Sequence, residues 1–184
     1  MNAYFPAGLW YDLETRSLAV DATSGGLEKT LSTPLTKTNV HVLGGHVLPL
    51  QQSAMTTTEG RATPFTLLAA LDGTGAAAGE LFWDDGEQIA ISKFLDVSYS
   101  VQATGCTGTV TATVRTSSYE DASSLSVDTV EVMGGPSALA QPSTVLLNGI
   151  PLQGAQITFN ADKGSIVLSS LAIKVSDAFE LTWK

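Results

Sequence analysis

The stretch GELFWDDGE, Gly79–Glu87, decides how the middle of this chain is expected to fold. Three acidic residues, Asp84, Asp85 and Glu87, follow directly behind the bulky pair Phe-Trp. Such a cluster is typical either of a catalytic or cation-binding site or of a tight turn between two strands. The choice determines whether this part of the chain is expected to carry chemistry.

Asp85-Gly86 favours the turn, because Asp tolerates the left-handed backbone region and Gly enters it without steric cost. With these two residues as the loop, Phe82 is predicted to lie opposite Ile89. Both faces of the resulting strand are apolar near the turn, which predicts a central strand in a sheet.

The catalytic alternative has less support in the pattern. Glycosidase chemistry needs two carboxyl groups facing each other across a substrate in a cleft, about 5–5.5 Å apart for a retaining enzyme. Adjacent acids at a hairpin tip are instead solvated. A calcium loop of the EF-hand kind needs oxygen ligands at alternating positions, a spacing that DDGEQIAIS lacks. A weak cation site stays open as the alternative to the turn.

Composition predicts an all-β protein. Of 184 residues, 43% are hydrophobic and 15% are charged, with many Ser and Thr. This mixture suits strands with one polar and one apolar face better than helices. The net charge of -9 and the lack of a basic run argue against nucleic acid and anionic membranes as partners. No apolar stretch reaches the length of a membrane span, and no targeting signal is visible.

Short apolar runs bounded by turn-forming residues recur along the chain and predict strands. DVSYSVQA places Val97, Tyr99 and Val101 on one face, and TVTATVR shows the same alternation. TVLLNGIPL contains Asn148-Gly149 between two apolar arms, which predicts a hairpin with a type I′ turn. The polar stretch SAMTTTEGRATP interrupts the apolar pattern, so we place a domain boundary there, dividing the chain into residues 1–53 and 54–184.

The residue types that usually bind metals are sparse. Cys106 is the only cysteine, which excludes an intrachain disulfide and a zinc site built from cysteines. His41 and His46 flank Gly-Gly without a third ligand nearby in the sequence, so both are interpreted as strand residues. We therefore predict no metal, no cofactor and no catalytic residue.

Three aromatic residues are candidates for stacking on a sugar. Trp10, Tyr11 and Trp83 could each provide a flat platform for a carbohydrate. Aromatic residues in the strands of small β domains more often pack in cores or interfaces. Both interpretations stay open for these three residues.

The order of motifs resembles the C-terminal region of glycoside hydrolase family 31, the α-glucosidase and maltase family. The matching segments are YFPAGLWYDLET, the stretch from PLTKTNV to ELFWDDGE and, more loosely, TVLLNGIPL to AFELTWK. In the family, a Trp-Tyr-Asp strand, an Arg-Gly-Gly hairpin leading into Leu-Pro-Leu-Gln, and Gly-Glu-Leu-Phe-x-Asp-Asp-Gly occur in this order at similar spacing. Here Leu43 stands where the family usually has Arg, and Gly60 where a Ser often precedes Arg61.

The resemblance implies two antiparallel β-sandwiches that follow a catalytic (β/α)₈ barrel. Residues 1–53 correspond to part of a proximal sandwich, expected to be incomplete, and residues 54–184 correspond to a distal one. The family's catalytic Asp nucleophile and Asp acid/base lie on barrel loops. No barrel motif is matched, so the resemblance implies an accessory, non-catalytic role with the barrel as partner. It also suggests α-glucan or malto-oligosaccharide as a ligand, and an altered polar contact to the barrel at Leu43 and Gly60.

Two functions of other classes stay open. One is a stand-alone carbohydrate-binding module that uses the aromatic candidates. The other is an immunoglobulin-like adhesion or structural domain, since sandwich folds host many functions. Members of the family are often secretory, vacuolar, lysosomal or extracellular, and nothing in this sequence selects a compartment.

Overall fold

A computed structural model describes residues 1–135 and 138–184 and shows an all-β protein, as composition predicts. One short α-helix, α1 (Thr57–Arg61), and a 3₁₀ helix (Glu120–Ser124) interrupt the strands. The strands are β1 (Asn2–Phe5), β2 (Leu9–Asp12), β3 (Ser17–Asp21), β4 (Leu27–Thr30), β5 (His41–Leu43), β6 (His46–Leu50), β7 (Phe65–Ala70), β8 (Ala76–Trp83), β9 (Leu95–Thr104), β10 (Thr107–Ser117), β11 (Ser126–Met133), β12 (Val145–Leu147), β13 (Ile150–Pro151), β14 (Gln156–Asn160), β15 (Ser165–Ser169), β16 (Ile173–Lys174) and β17 (Phe179–Trp183).

Twelve strands form one large sheet, which we call the curled sheet. Its order is β13-β12-β17-β10-β9-β8-β6-β7-β11-β15-β14, and β16 pairs with β11 beside this path. The pairs are antiparallel except for β7 with β11 and β6 with β8. Residues from both ends of this order, such as Leu181 and Leu168, lie in one apolar cluster. The sheet must therefore curl around that shared core.

The first five strands form two small sheets, β1-β4 and β3-β2-β5, which we call the N-terminal layer (residues 1–43). The layer packs on the outer face of the curled sheet at β7 and β11. Tyr11 and Val42 of the layer share an apolar cluster with Leu68, Ala70 and Met133. Leu67 and Ala69 of the same strand β7 point instead into the main core. β7 is therefore buried on both faces.

Several predicted elements are confirmed. Val97, Tyr99 and Val101 of β9 are all buried on the core face, as their alternation predicts. Asn148 and Gly149 have φ angles of 50° and 79° and connect β12 to β13, as expected for a type I′ hairpin.

The predicted two-residue hairpin at Asp85-Gly86 is wrong. Phe82 pairs with Asp96 rather than with Ile89, and residues 84–94 form a longer connection between β8 and β9. The observed register places Leu95 and the alternating apolar residues of β9 in the core beside Leu81. Residues 87–93 contain no comparable apolar face, so burial of the long strand outweighs the local turn preference.

Gly79, which begins the quoted stretch, lies where β8 passes β6 at close range. A Cβ atom at this position would lie 2.1 Å from the carbonyl oxygen of Val47, so only glycine fits without a backbone shift. β6 belongs to the residues placed before the boundary at residue 53, yet it pairs with β7 and β8 of the curled sheet. The division at residue 53 and the incompleteness of the first sandwich stay predictions.

Among the helices of residues 1–135 and 138–184, none has the length and apolar character needed to cross a membrane.

Candidate functional site

The acidic residues of the quoted stretch lie in a loop that closes on its own backbone. The Asp84 carboxylate accepts a hydrogen bond from the Gly86 amide at 2.9 Å. The Asp85 carboxylate accepts bonds from the amides of Glu87 at 3.0 Å and Gln88 at 3.1 Å. These backbone bonds, with a smaller contribution from the Arg61 charge, hold the pKa of Asp85 below its usual range. The carboxylates thus act as turn-forming acceptors.

Arg61, at the end of α1, joins this loop to Trp83. Its guanidinium carbon lies 4.0 Å from the centre of a Trp83 ring, within the range of a cation–π contact. The same guanidinium donates a hydrogen bond to the carbonyl oxygen of Asp84. Trp83 and Phe65 also pack in a T-shaped arrangement, with ring centres 5.2 Å apart. One side of the Trp83 ring system is therefore occupied by protein groups.

A polar cleft of about 690 Å³ lies between α1 and the acidic loop. Its walls include Gln51, Thr58, Arg61, Asp85 and Glu87. The Gln51 side-chain amide donates to the carbonyl oxygens of Arg61 and Thr63, at 3.1 and 2.8 Å, and so helps to position the helix. The cleft therefore presents a guanidinium group, two carboxylates and neutral hydrogen-bonding groups to solvent.

The other two aromatic candidates lie in the N-terminal layer, in different clusters from Trp83. Trp10 is half-buried against Phe5, and its indole Nε1 donates to the carbonyl oxygen of Pro6 at 2.8 Å. Tyr11 has 0% exposure, and its hydroxyl donates to the carbonyl oxygen of Leu71 at 2.8 Å. Burial raises the pKa of this hydroxyl to about 12. A ring with no exposed face cannot stack on a sugar here, so Tyr11 serves the core.

The histidines and the cysteine lie apart from this cleft. The His41 ring meets the Phe5 ring edge-on at 5.0 Å, and His46 Nδ1 lies 3.0 Å from the carbonyl oxygen of Leu43. Cys106 is exposed in the turn between β9 and β10. Within the described part of the chain, no group of three or more His, Cys, Asp or Glu side chains could hold a metal ion.

Arg61 and the helix that carries it are parts of the site that were not predicted from the sequence. Thr56 caps α1, because its hydroxyl accepts a hydrogen bond from the amide of Glu59 at 3.2 Å. Thr-x-x-Glu is the signature of a capping box and could have predicted a short helix in this polar stretch. The contact of Arg61 with Trp83 joins residues 22 positions apart, and no short sequence motif predicts it.

Comparison with known proteins shows similarity between this chain and a part of larger enzymes. No protein-family model matches it. The chain is 33% identical over 195 residues to the lysosomal alpha-glucosidase of Bos taurus, covering 100% of this chain and 20% of that enzyme. It is 36% identical over 193 residues to the alpha-glucosidase of Hordeum vulgare, covering 98% of this chain and 22% of that enzyme.

Solved structures show the same fold. The glucosidase II alpha subunit matches with a TM-score of 0.80 and 19% identity, over 100% of this chain and 21% of that chain. A GH31 dextranase of Flavobacterium johnsoniae matches with a TM-score of 0.72 and 15% identity, over 100% of this chain and 24% of that chain.

These matches define the chain as an all-β region that recurs within larger glycoside hydrolases. Along its whole length the chain is similar to a part of curated α-glucosidases, and it shares its fold with a part of a solved GH31 dextranase. It spans about one fifth of the length of the curated relatives it matches.

Proposed function

We propose that this chain is a non-catalytic accessory region of a family 31 α-glucosidase and that it supports the catalytic barrel of that enzyme. The observation that carries the proposal is the match of the entire chain to about one fifth of the lysosomal alpha-glucosidase of Bos taurus. In this proposal, residues 1–53 form part of a proximal sandwich and residues 54–184 form a distal one.

The geometry of the acidic loop supports a structural role. Asp84 and Asp85 accept hydrogen bonds from amides of their own loop. A general acid must hold a proton near neutral pH, whereas the lowered pKa of Asp85 keeps this carboxylate ionised. A nucleophilic partner would have to face it across a substrate, and its neighbour Asp84 forms the same kind of turn.

Activity of the isolated chain provides the first test. We expect no release of glucose from maltose or an aryl α-glucoside above the buffer background. Release that disappears in Asp84→Asn or Asp85→Asn would overturn the accessory role. Equal background release by the native chain and both variants supports it.

A chimera tests whether the chain supports a barrel. The region of the Hordeum vulgare enzyme that aligns with this chain is replaced by the chain itself, and a matched variant lacks the region altogether. We expect the chimera to be soluble and to retain glucosidase activity, while the deletion loses both, because accessory domains cover apolar surface of their neighbours. A deletion variant as active and soluble as the parent would contradict the proposal.

Carbohydrate binding by the isolated chain is the remaining alternative, and it depends on Trp10 and Trp83. Arg61 lies over Trp83, and the Trp10 indole donates to the carbonyl oxygen of Pro6 in the preceding loop, so neither offers a fully open platform. Titration with malto-oligosaccharides is expected to show no saturable change in tryptophan fluorescence. A saturable change lost in Trp83→Ala would favour a binding module.

A further inference from the structure

In the part of the chain that the structure describes, β14 is the last strand at one end of the curled sheet. Within residues 1–135 and 138–184, its ladder partner is β15 alone. The backbone hydrogen bonds outside the described ladders include none from residues 155–160. The strand therefore presents backbone N–H and C=O groups that another strand can pair with.

The two ends of the curled sheet differ in protection. β13, at the other end, is two residues long and contains Pro151, which has no N–H to donate. β14 is five residues long, and its sequence QITFN contains neither proline nor a charged residue. Proline, charge and short length are the usual protections of an edge strand, and β14 has none of them.

The sequence of β14 is complementary to itself in the antiparallel direction. With a two-fold axis at Thr158, Gln156 faces Asn160, Ile157 faces Phe159, and Thr158 faces its own copy. Amide–amide, threonine–threonine and aromatic–β-branched pairs are all favourable across antiparallel strands. Because strand side chains alternate, the polar pairs share one face and the apolar pairs share the other.

The burial pattern agrees with this pairing. Gln156, Thr158 and Asn160 are exposed. Ile157 and Phe159 are partly buried and pack against the main core of the curled sheet. A second β14 would cover the open sides of these two apolar residues and extend the core layer across the two-fold axis.

We propose that the occupant of this edge is a second copy of the same chain, which forms a symmetric dimer through β14. The two curled sheets then continue into one another across an isologous contact. Like charges do not oppose one another in this pairing, since the nearest charged residues, Asp162 and Lys163, follow the five paired positions. The dimer does not depend on the proposed function.

Sedimentation velocity over a range of concentrations provides the first test. We expect the native chain to show a reversible monomer–dimer equilibrium. Thr158→Lys places two ammonium groups opposite each other and is expected to raise the dissociation constant about tenfold or more. The matched control is Ile150→Lys on β13, where the side chain is 70% exposed, and it is expected to leave the equilibrium unchanged.

Cross-linking tests the predicted two-fold axis. In a Cys106→Ser background, Thr158→Cys is expected to form a disulfide-linked dimer under mild oxidation, because directly opposed residues bring their Cβ atoms close together. The control Ile150→Cys should stay uncross-linked. A native chain that is monomeric at all concentrations overturns the proposal. So does an equilibrium shifted by Ile150→Lys and unaffected by Thr158→Lys.

Discussion

The N-terminal layer and the curled sheet are both built from strands, but the layer depends on the sheet to bury its apolar residues more than the sheet depends on the layer. In the layer, strands have five residues or fewer, and all four residues of β4 are exposed. In the curled sheet, β9 and β10 have 10 and 11 residues, and every second residue of β9 is buried in the core. The sheet encloses its own core, whereas the layer completes its core by packing on β7 and β11. Because of its longer strands and its own enclosed core, we expect the curled sheet to be more stable than the layer.

Among residues 1–135 and 138–184, two polar contacts join the regions between positions that are far apart in the chain. The buried Tyr11 hydroxyl bonds to the carbonyl oxygen of Leu71. Arg16 Nε lies 3.3 Å from a carboxylate oxygen of Glu131 on β11, with both side chains partly buried. These contacts help to fix the position of the layer on the sheet, and Arg16 also donates to the carbonyl oxygen of Leu13 within the layer.

The largest expected effect comes from neighbouring leucines on β7 that serve the two cores. Leu67→Ala should lower the free energy of unfolding of the whole chain by about 2–5 kcal/mol, because it opens a cavity in the main core. Leu68→Ala removes the same side chain from the apolar cluster between the layer and the curled sheet, and it should mainly destabilise the layer. Amide hydrogen exchange should then accelerate across residues 1–43 while β9 keeps its protection. Equal acceleration in both regions would show that they unfold as one unit.

Loss of the buried tyrosine hydroxyl should have the next largest effect. Tyr11→Phe leaves the carbonyl oxygen of Leu71 without this donor, at a cost of about 1–3 kcal/mol. Chemical denaturation measures the change. The matched control is Tyr4→Phe, because Tyr4 is 64% exposed, and its effect should be close to zero. Similar small effects from both substitutions would mean that the packing of the layer on the curled sheet does not depend on this bond.

A strained position in the loop between β8 and β9 is the basis of the next prediction. Gly86 has a φ of 73°, so Gly86→Val should cost about 1–2 kcal/mol. Asp84→Asn should cost far less, because the Asn side-chain oxygen can accept the same bond from the Gly86 amide. Chemical denaturation should rank the two variants in this order. The reverse order, with calcium restoring the loss in Asp84→Asn, would identify a cation site.

The smallest expected effect concerns pH at the Arg16–Glu131 pair. Burial raises the pKa of Glu131 above its ordinary value of 4.5, and the Arg16 charge offsets only part of this rise. The folded protein therefore holds a proton that the unfolded chain releases. The stabilising contribution is complete below the ordinary pKa and is lost as pH rises through the raised one.

Glu131→Gln should remove this pH dependence, which unfolding curves from acidic to neutral pH will measure. Relative to the native chain, the variant should gain stability as pH rises. Arg16→Gln should move the loss of stability to higher pH, because without the Arg16 charge the pKa of Glu131 rises further. If the stability of the native chain and that of Glu131→Gln change with pH in parallel, the Glu131 carboxyl titrates alike in the folded and the unfolded state.

Much of the fold could be predicted where the signal is local. The alternation in β9 and the Asn148-Gly149 turn each depend on a few adjacent residues, and both predictions are confirmed. The β8–β9 register could not be predicted from Asp85-Gly86, because burial of an entire strand outweighs one favourable turn. In the candidate site, the tight turn predicted at Asp85-Gly86 is wrong, although Asp84 and Asp85 do accept bonds from amides of their own loop, and the contact of Arg61 with Trp83 was missed.

By itself, the sequence determined the all-β class, the strand faces and the resemblance to family 31, since composition, alternation and motif order are properties of the chain alone. Only the tertiary structure decided that β6 joins the curled sheet, that Tyr11 is inaccessible, and that β14 is an open edge. Each of these depends on which distant segments meet. Pairing between strands far apart in the chain is selected by burial of apolar faces over the whole molecule, and no short stretch contains that information.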